Sequence, residues 1–97
     1  MKSKQVILDK LLEEDHLLKK EYQVKTIGIF GSYARDEQTE ASDVDVLVEF
    51  DSPMGFFTFI KLENYLSEKF GIKVDLVTPD ALKPLIKSNI LDETVYA

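Results

Sequence analysis

The sequence predicts an α/β (α+β) domain: a small mixed β-sheet with helices packed on one side of it. Three observations carry that expectation. Segments 43–50 and 72–77 alternate polar and apolar residues, as half-buried strands do. The run Val24 to Phe30 is apolar and stops at Gly31-Ser32. The stretches between repeat their apolar residues at helical spacing. The resulting order is helix, strand, helix, strand, helix, strand, helix, and residues 1–97 are expected to form a single domain.

Ser3 is placed to cap a first helix of about residues 4–20, in which Ile7, Leu11 and Leu18, with Leu8 and Leu12, form an apolar stripe. The opposite face carries Glu13-Glu14-Asp15 and Lys19-Lys20, a solvated surface with some favourable (i, i+4) pairing. His16 is the only histidine, and no spacing connects it to the carboxylates discussed below. The strand Val24 to Phe30 then meets Gly31-Ser32 at the start of a helix. Free backbone N–H groups, a glycine that permits close approach and a hydroxyl suit such a junction to phosphate; the same pair also serves as a plain turn and N-cap.

In the next strand, Asp43 and Asp45 flank Val44 and project from one face, roughly 6.6 Å apart along the chain, while Val44, Val46, Val48 and Phe50 face the core. Two like charges on one sheet face repel, and strands disfavour Asp. Either this is a solvated strand end or a cation compensates. Mg²⁺ prefers hard oxygen ligands and is commonly held by one or two carboxylates plus substrate phosphates; two such ions can clamp a phosphoryl centre.

Asp51-Ser52-Pro53-Met54-Gly55 breaks the strand, and Phe56 to Phe70 reads as a helix closed by Gly71. Phe56, Phe59, Ile60, Leu66 and Phe70 recur at helical spacing and are expected to face the core, although Phe56 or Phe57 can also be read as a stacking surface for a base. In the strand 72–77, Ile72, Val74 and Leu76 share one face and Asp75 lies on the other. If this strand neighbours 43–48, Asp75 completes a carboxylate triad, as a metal ligand or as the acceptor of a proton from an attacking hydroxyl. Pro79 and Pro84 start short helical turns, and Thr94-Val95-Tyr96-Ala97 is expected to be a closing edge strand. Arg35, near the first turn after Gly31-Ser32, either neutralises phosphate charge or makes a structural salt bridge to a site carboxylate.

Gly31-Ser32, ten residues, then Asp43-Val44-Asp45 resembles the pattern of the minimal nucleotidyltransferases of the polymerase-beta-like superfamily. The stretch Gly31-Ser32-Tyr33-Ala34-Arg35, followed by Ser42-Asp43-Val44-Asp45, is similar in particular to the MNT subgroup, which occurs as the antitoxin beside a HEPN-domain ribonuclease toxin. The likeness covers about residues 24–80. It implies a polymerase-beta-like nucleotidyltransferase core that transfers AMP from ATP to a hydroxyl, a tyrosine of the HEPN toxin, with release of pyrophosphate. Carried onto this chain, Gly31 and Ser32 would bind the triphosphate with Arg35 beside them. Asp43 and Asp45 would hold two Mg²⁺, with Asp75 as the third acidic residue of the metal and catalytic set. One departure is visible: Asp36 stands where many relatives have glycine. The alternative from another class is an antitoxin that neutralises its partner by stoichiometric binding; a third is nucleotidylation of a small molecule, for which relatives generally carry a further domain.

The formal net charge of −6, from 18 acidic and 12 basic residues, argues against direct DNA or RNA binding and favours a protein partner, in a hetero-oligomer with it. No run approaches the roughly 18 apolar residues that span a bilayer. Met1-Lys2-Ser3-Lys4 leads into an amphipathic pattern rather than a signal-peptide core. With zero cysteines, thiol catalysis, disulfides and cysteine zinc sites are excluded, and a cytoplasmic setting is expected.

Overall fold

The structure, a computed structural model, describes residues 2–97. Ser3 caps α1 (Lys4–Glu13), its Oγ accepting from Val6 N at 3.2 Å. The expected single helix over 4–20 is in fact two, because the backbone leaves helical geometry at Glu14 and restarts as α2 (Asp15–Tyr22). Neither Gly nor Pro causes this break. The Glu14 side chain is instead engaged by another helix: Tyr65 Oη donates to it at 2.5 Å, and Lys69 Nζ lies 3.7 Å away. Leu12, expected in the apolar stripe, is 56% exposed, while Ile7, Leu11 and Leu18 are buried.

Strand β1 (Val24–Phe30) runs directly into a single helical turn, α3 (Gly31–Ala34); β2 (Val44–Phe50) follows after a loop. Next come α4 (Phe56–Phe70), β3 (Val74–Val77), a 3₁₀ turn (Pro79–Ala81), α5 (Pro84–Glu93) and β4 (Val95–Tyr96). The strands form one mixed sheet in the order β3-β2-β1-β4, antiparallel except for the parallel pair β2–β3. Gly71, with φ at 68°, closes α4 in the left-handed conformation that glycine adopts without a Cβ penalty. The third strand begins at Val74 rather than Ile72, which only packs against the core from its edge.

One face of the sheet makes the core. Ile27, Ile29, Val44, Val46, Val48, Val74 and Leu76 pack against Ile7 and Leu11 of α1, Leu18 and Tyr22 of α2, and Leu62, Leu66 and Phe70 of α4. Burying one such aliphatic side chain contributes about 1.5–3 kcal/mol, so this two-layer packing dominates the stability of the fold. A bulge between Val24 and Thr26 shifts the alternation by one residue and lets Val24 join the same core as Ile27. Phe56, expected in the core stripe, is 71% exposed, since the first turn of α4 overhangs the sheet; Phe59 is the first of the series to pack inward.

The opposite face carries Phe30, Asp45 and Asp75 in one row and Gly28, Leu47 and Val77 in the next. Leu47 is nonetheless only 1% exposed, with the 3₁₀ turn lying against β2. Among the described residues no helix is long and apolar enough to cross a membrane.

Candidate active site

The site is assembled where β1 ends and β2 begins. Antiparallel pairing sets Phe30 opposite Asp45, so Gly31, the next residue, arrives beside the Asp45 carboxylate. Gly31 has φ at +72°, and a Cβ added to it would collide with Asp45 Oδ2. Both the backbone conformation and the lack of space therefore demand glycine. The close approach brings the Gly31-Ser32 and Asp43-Val44-Asp45 motifs into one site.

The ten residues between the motifs are held by local bonds. Arg35 N donates to Gly31 O at 3.1 Å and Glu37 N to Ser32 O at 2.8 Å, continuing the turn. Asp36 then adopts φ of 57°, a left-handed geometry that Asp tolerates better than most residues but less well than glycine. Lys4 Nζ, 3.2 Å from Asp36 Oδ2, ties the position to α1. Thr39 N donates to Ser42 Oγ at 2.9 Å and Ser42 N to Thr39 O at 3.0 Å, a compact turn that delivers Asp43 to the strand.

Asp45 and Asp75 are direct register partners on the parallel pair β2–β3, so their carboxylates project from adjacent strands on the same face. Asp43 sits one residue before β2, with Lys73 Nζ 3.9 Å from its Oδ2. Burial pushes the Asp45 carboxyl up to about 6, reinforced by the negative charges of Asp75 and Asp43 and opposed by the Arg35 guanidinium. Among the described residues no three His, Cys, Asp or Glu side chains are gathered closely enough to hold an ion by themselves.

Ser32 is half-buried on α3. Arg35 is not paired with Asp43 or Asp45. Its Nε donates to Glu37 at 2.6 Å and its Nη1 to Glu93 Oε2 at 3.0 Å. Glu93, at the end of α5, is the site residue the sequence reading missed. Its Oε1 accepts from Gly31 N at 2.8 Å. No motif spacing marks a residue 62 positions away; only the docking of β4 beside β1 brings it in.

A cavity of about 680 Å³ lies at the other end of β2, lined by Phe50, Met54, Phe56 and Phe59 together with Asp51 and Asp80. Glu49, on its rim, is four strand residues from Asp45, roughly 13 Å along the chain. The carboxylates and backbone donors, rather than this hollow, make the candidate site, because they are groups of the kind that phosphoryl transfer uses.

Comparison with known proteins gives the chain a family. Residues 8–97 match the nucleotidyltransferase domain family. Over 97 residues the chain is 50% identical to a Methanocaldococcus jannaschii protein named "Putative protein adenylyltransferase", covering 99% of each chain. It is 46% identical over 79 residues to the protein adenylyltransferase MntA of Thermococcus cleftensis, covering 81% of this chain and 80% of that one. The fold superposes on a solved "putative minimal nucleotidyltransferase" with a TM-score of 0.83 at 26% identity, over 97% of this chain and 95% of the other. At 17% identity, where the likeness concerns the fold alone, it also superposes on a structure of a tri-AMPylated Shewanella oneidensis HEPN toxin in complex with its MNT antitoxin. The TM-score there is 0.69, over 96% of this chain and 70% of that one. With its two motifs held at one point of a four-stranded mixed sheet, the chain belongs to the nucleotidyltransferase domain family, as a member of the minimal type.

Proposed function

We propose that this chain is a magnesium-dependent protein adenylyltransferase that moves AMP from ATP onto a tyrosine hydroxyl of a HEPN-domain toxin and thereby acts as its antitoxin in the cytoplasm. The observation that carries the reading is the approach of the Gly31 backbone to the Asp45 carboxylate, because it makes phosphate donors and acidic residues parts of one site. The acceptor class is drawn from relatives named as protein adenylyltransferases and from fold neighbours solved as complexes with HEPN toxin.

The donor set suits magnesium: it consists of hard carboxylate oxygens, and Asp45 is charged against its neighbours in a way that a dication would relieve. Asp43 and Asp45 would hold two ions, with Asp75 as the third acidic residue, and substrate phosphate oxygens would complete the coordination. When bound, magnesium neutralises charge on the transferring phosphoryl group and on the departing pyrophosphate.

The Gly31 N–H, the Ser32 hydroxyl and the Arg35 guanidinium hold the triphosphate and fix its line of departure. Asp75, beside Asp45 on the next strand, accepts the proton of the incoming tyrosine hydroxyl. The tyrosyl oxygen bonds to the α-phosphorus, the bond from that phosphorus to the bridging oxygen breaks, and pyrophosphate leaves with the electron pair. Catalysis is thus positioning and charge stabilisation rather than covalent chemistry by the protein.

The test is transfer of label from α-phosphate-labelled ATP, with Mg²⁺, to protein in a lysate of the source organism. One labelled band is expected with the wild type, and a rate lower by at least about a hundredfold is expected for a folded Asp45→Asn variant. A wild-type rate from that variant would remove Asp45 from the mechanism. No label from any of the four nucleotides would instead favour neutralisation by stoichiometric binding.

A further inference from the structure

The Gly31 N–H and the Arg35 guanidinium, the groups assigned above to phosphate, already have an anionic partner. Glu93 Oε1 accepts from Gly31 N at 2.8 Å and from Arg35 Nη1 at 3.2 Å, and Oε2 accepts from the same Nη1 at 3.0 Å. A carboxylate and a phosphate make the same demand on such donors: two or more oxygens, negative charge and short charge-assisted hydrogen bonds. One N–H carries one hydrogen, so Glu93 and a phosphate oxygen cannot both take the Gly31 donor in full. We propose that Glu93 is an internal stand-in for the nucleotide phosphate, occupying the cradle in the free protein and displaced when nucleotide binds. The inference rests on the nucleotide reading and adds to it a competitor built into the chain.

The segment that carries Glu93 is suited to yielding. Helix α5 buries none of its side chains, and Leu85 in its first turn is 92% exposed. Beyond it, β4 has only two residues, paired to Gly28 and Ile29 at the sheet edge. Gly28 allows that pairing, since a Cβ there would stand 2.7 Å from the Val95 carbonyl oxygen. The Glu93 side chain itself is 26% exposed, which leaves it a path to solvent once its partners are taken. Displacement also removes a negative charge from the neighbourhood of the arriving triphosphate. Nucleotide entry therefore loosens the α5 end from α3, and occupancy of the site is reported at the C-terminal edge of the sheet.

Binding of the non-hydrolysable analogue AMP-PNP with Mg²⁺, measured by calorimetry, tests this on the full chain. Four proteins are compared: wild type, Glu93→Gln, Glu93→Ala and Asp92→Asn. The last removes the same unit of charge from the adjacent, exposed carboxylate. Loss of the competing charge-assisted bonds is expected to tighten binding about tenfold in both Glu93 variants, with Asp92→Asn within about twofold of wild type. Glu93→Gln keeps the length and polarity of the side chain, so the fold is retained. Equal or weaker binding in both folded Glu93 variants, with clear binding by wild type, would overturn the stand-in role while leaving the nucleotide reading intact. Equal tightening by Asp92→Asn would reduce the effect to net charge and overturn it as well. Failure of all four proteins to bind would overturn the nucleotide reading and this inference together.

Discussion

Asp45 is kept in the fold against its own electrostatics. Its carboxyl is pushed up to about 6 by burial and by Asp75 and Asp43, whereas in an unfolded chain it titrates at an ordinary value near 4. Between those two values the folded chain retains a proton that the unfolded chain has released. Stability from this group is therefore full below about pH 4 and is lost as the pH rises through about 6. Without metal, Asp45→Asn should raise stability at pH 7 by about 1–2 kcal/mol, the electrostatic gain being discounted for the solvent that reaches the site. The gap to wild type should narrow towards pH 4. Urea unfolding at the two pH values in chelator measures this, and an Asn variant less stable than wild type at pH 7 would mean that Asp45 makes structural contacts the fold needs. A stabilising substitution that abolishes transfer is the pattern expected of a functional residue retained at a cost in stability. At this scale the sequence was most readable where the chemistry conflicts with the local structure: two Asp at the head of an alternating apolar segment stand out because strands disfavour them, although only Asp45 lies within β2. Glu93 carries no such conflict, being an ordinary residue at a helix end, and its role comes only from what lies beside it in space.

The elements divide in the same way. Strands β1 and β2 and helix α4 have nearly the bounds expected of them, because apolar period and terminal glycines are local signals that the tertiary structure did not override. The break at Glu14 has no local signal, since Glu and Asp are acceptable helix residues and the cause lies on α4. There Tyr65 binds Glu14, packs 6.1 Å from the Tyr22 ring and sits under Lys69, whose Nζ is 5.5 Å from the Tyr65 ring centre. The hydrogen bond to Glu14 pushes the Tyr65 hydroxyl up to about 12, so the phenol keeps its proton and remains the donor at neutral pH. Tyr65→Phe deletes the hydroxyl and keeps the ring. It should destabilise by about 1 kcal/mol, the value of one partly solvated hydrogen bond to a charged group, with the nucleotide-transfer rate unchanged. Denaturant midpoints and initial rates check the two halves separately; a lost rate at full stability would connect the helix break to the site. The misplacement of Phe56 has a related origin. Helical spacing gives the face of a helix but not where the helix first meets the sheet, and Phe56 in the opening turn of α4 lines the mixed polar and apolar cavity at the end of β2.

As a whole the molecule is small and acidic, and its one sheet is covered by a helical layer on the face away from the carboxylates. Under the proposed function, Gly31-Ser32 and the carboxylates handle the phosphates, and the acceptor arrives on a partner protein. Selectivity for one hydroxyl then follows from docking, because only a partner held at the right height puts an oxygen in line with the α-phosphorus. Under the proposed function, this dependence separates silencing by transfer from silencing by occlusion. A protein that works by occlusion must match its partner molecule for molecule, while a transferase releases modified partner and acts again. With ATP and Mg²⁺ present, about one-tenth of an equivalent of wild-type chain should abolish the ribonuclease activity of the partner over time, and the silencing should persist after the chain is removed. The same amount of Asp45→Asn should leave about nine-tenths of the activity, whatever its affinity for the partner. The measurement is residual ribonuclease activity against molar ratio at fixed long incubation. A titration that ends at one equivalent for both proteins, with or without ATP, would make this an occluding antitoxin on a nucleotidyltransferase fold, and the repulsion stored at Asp45 would then need another explanation.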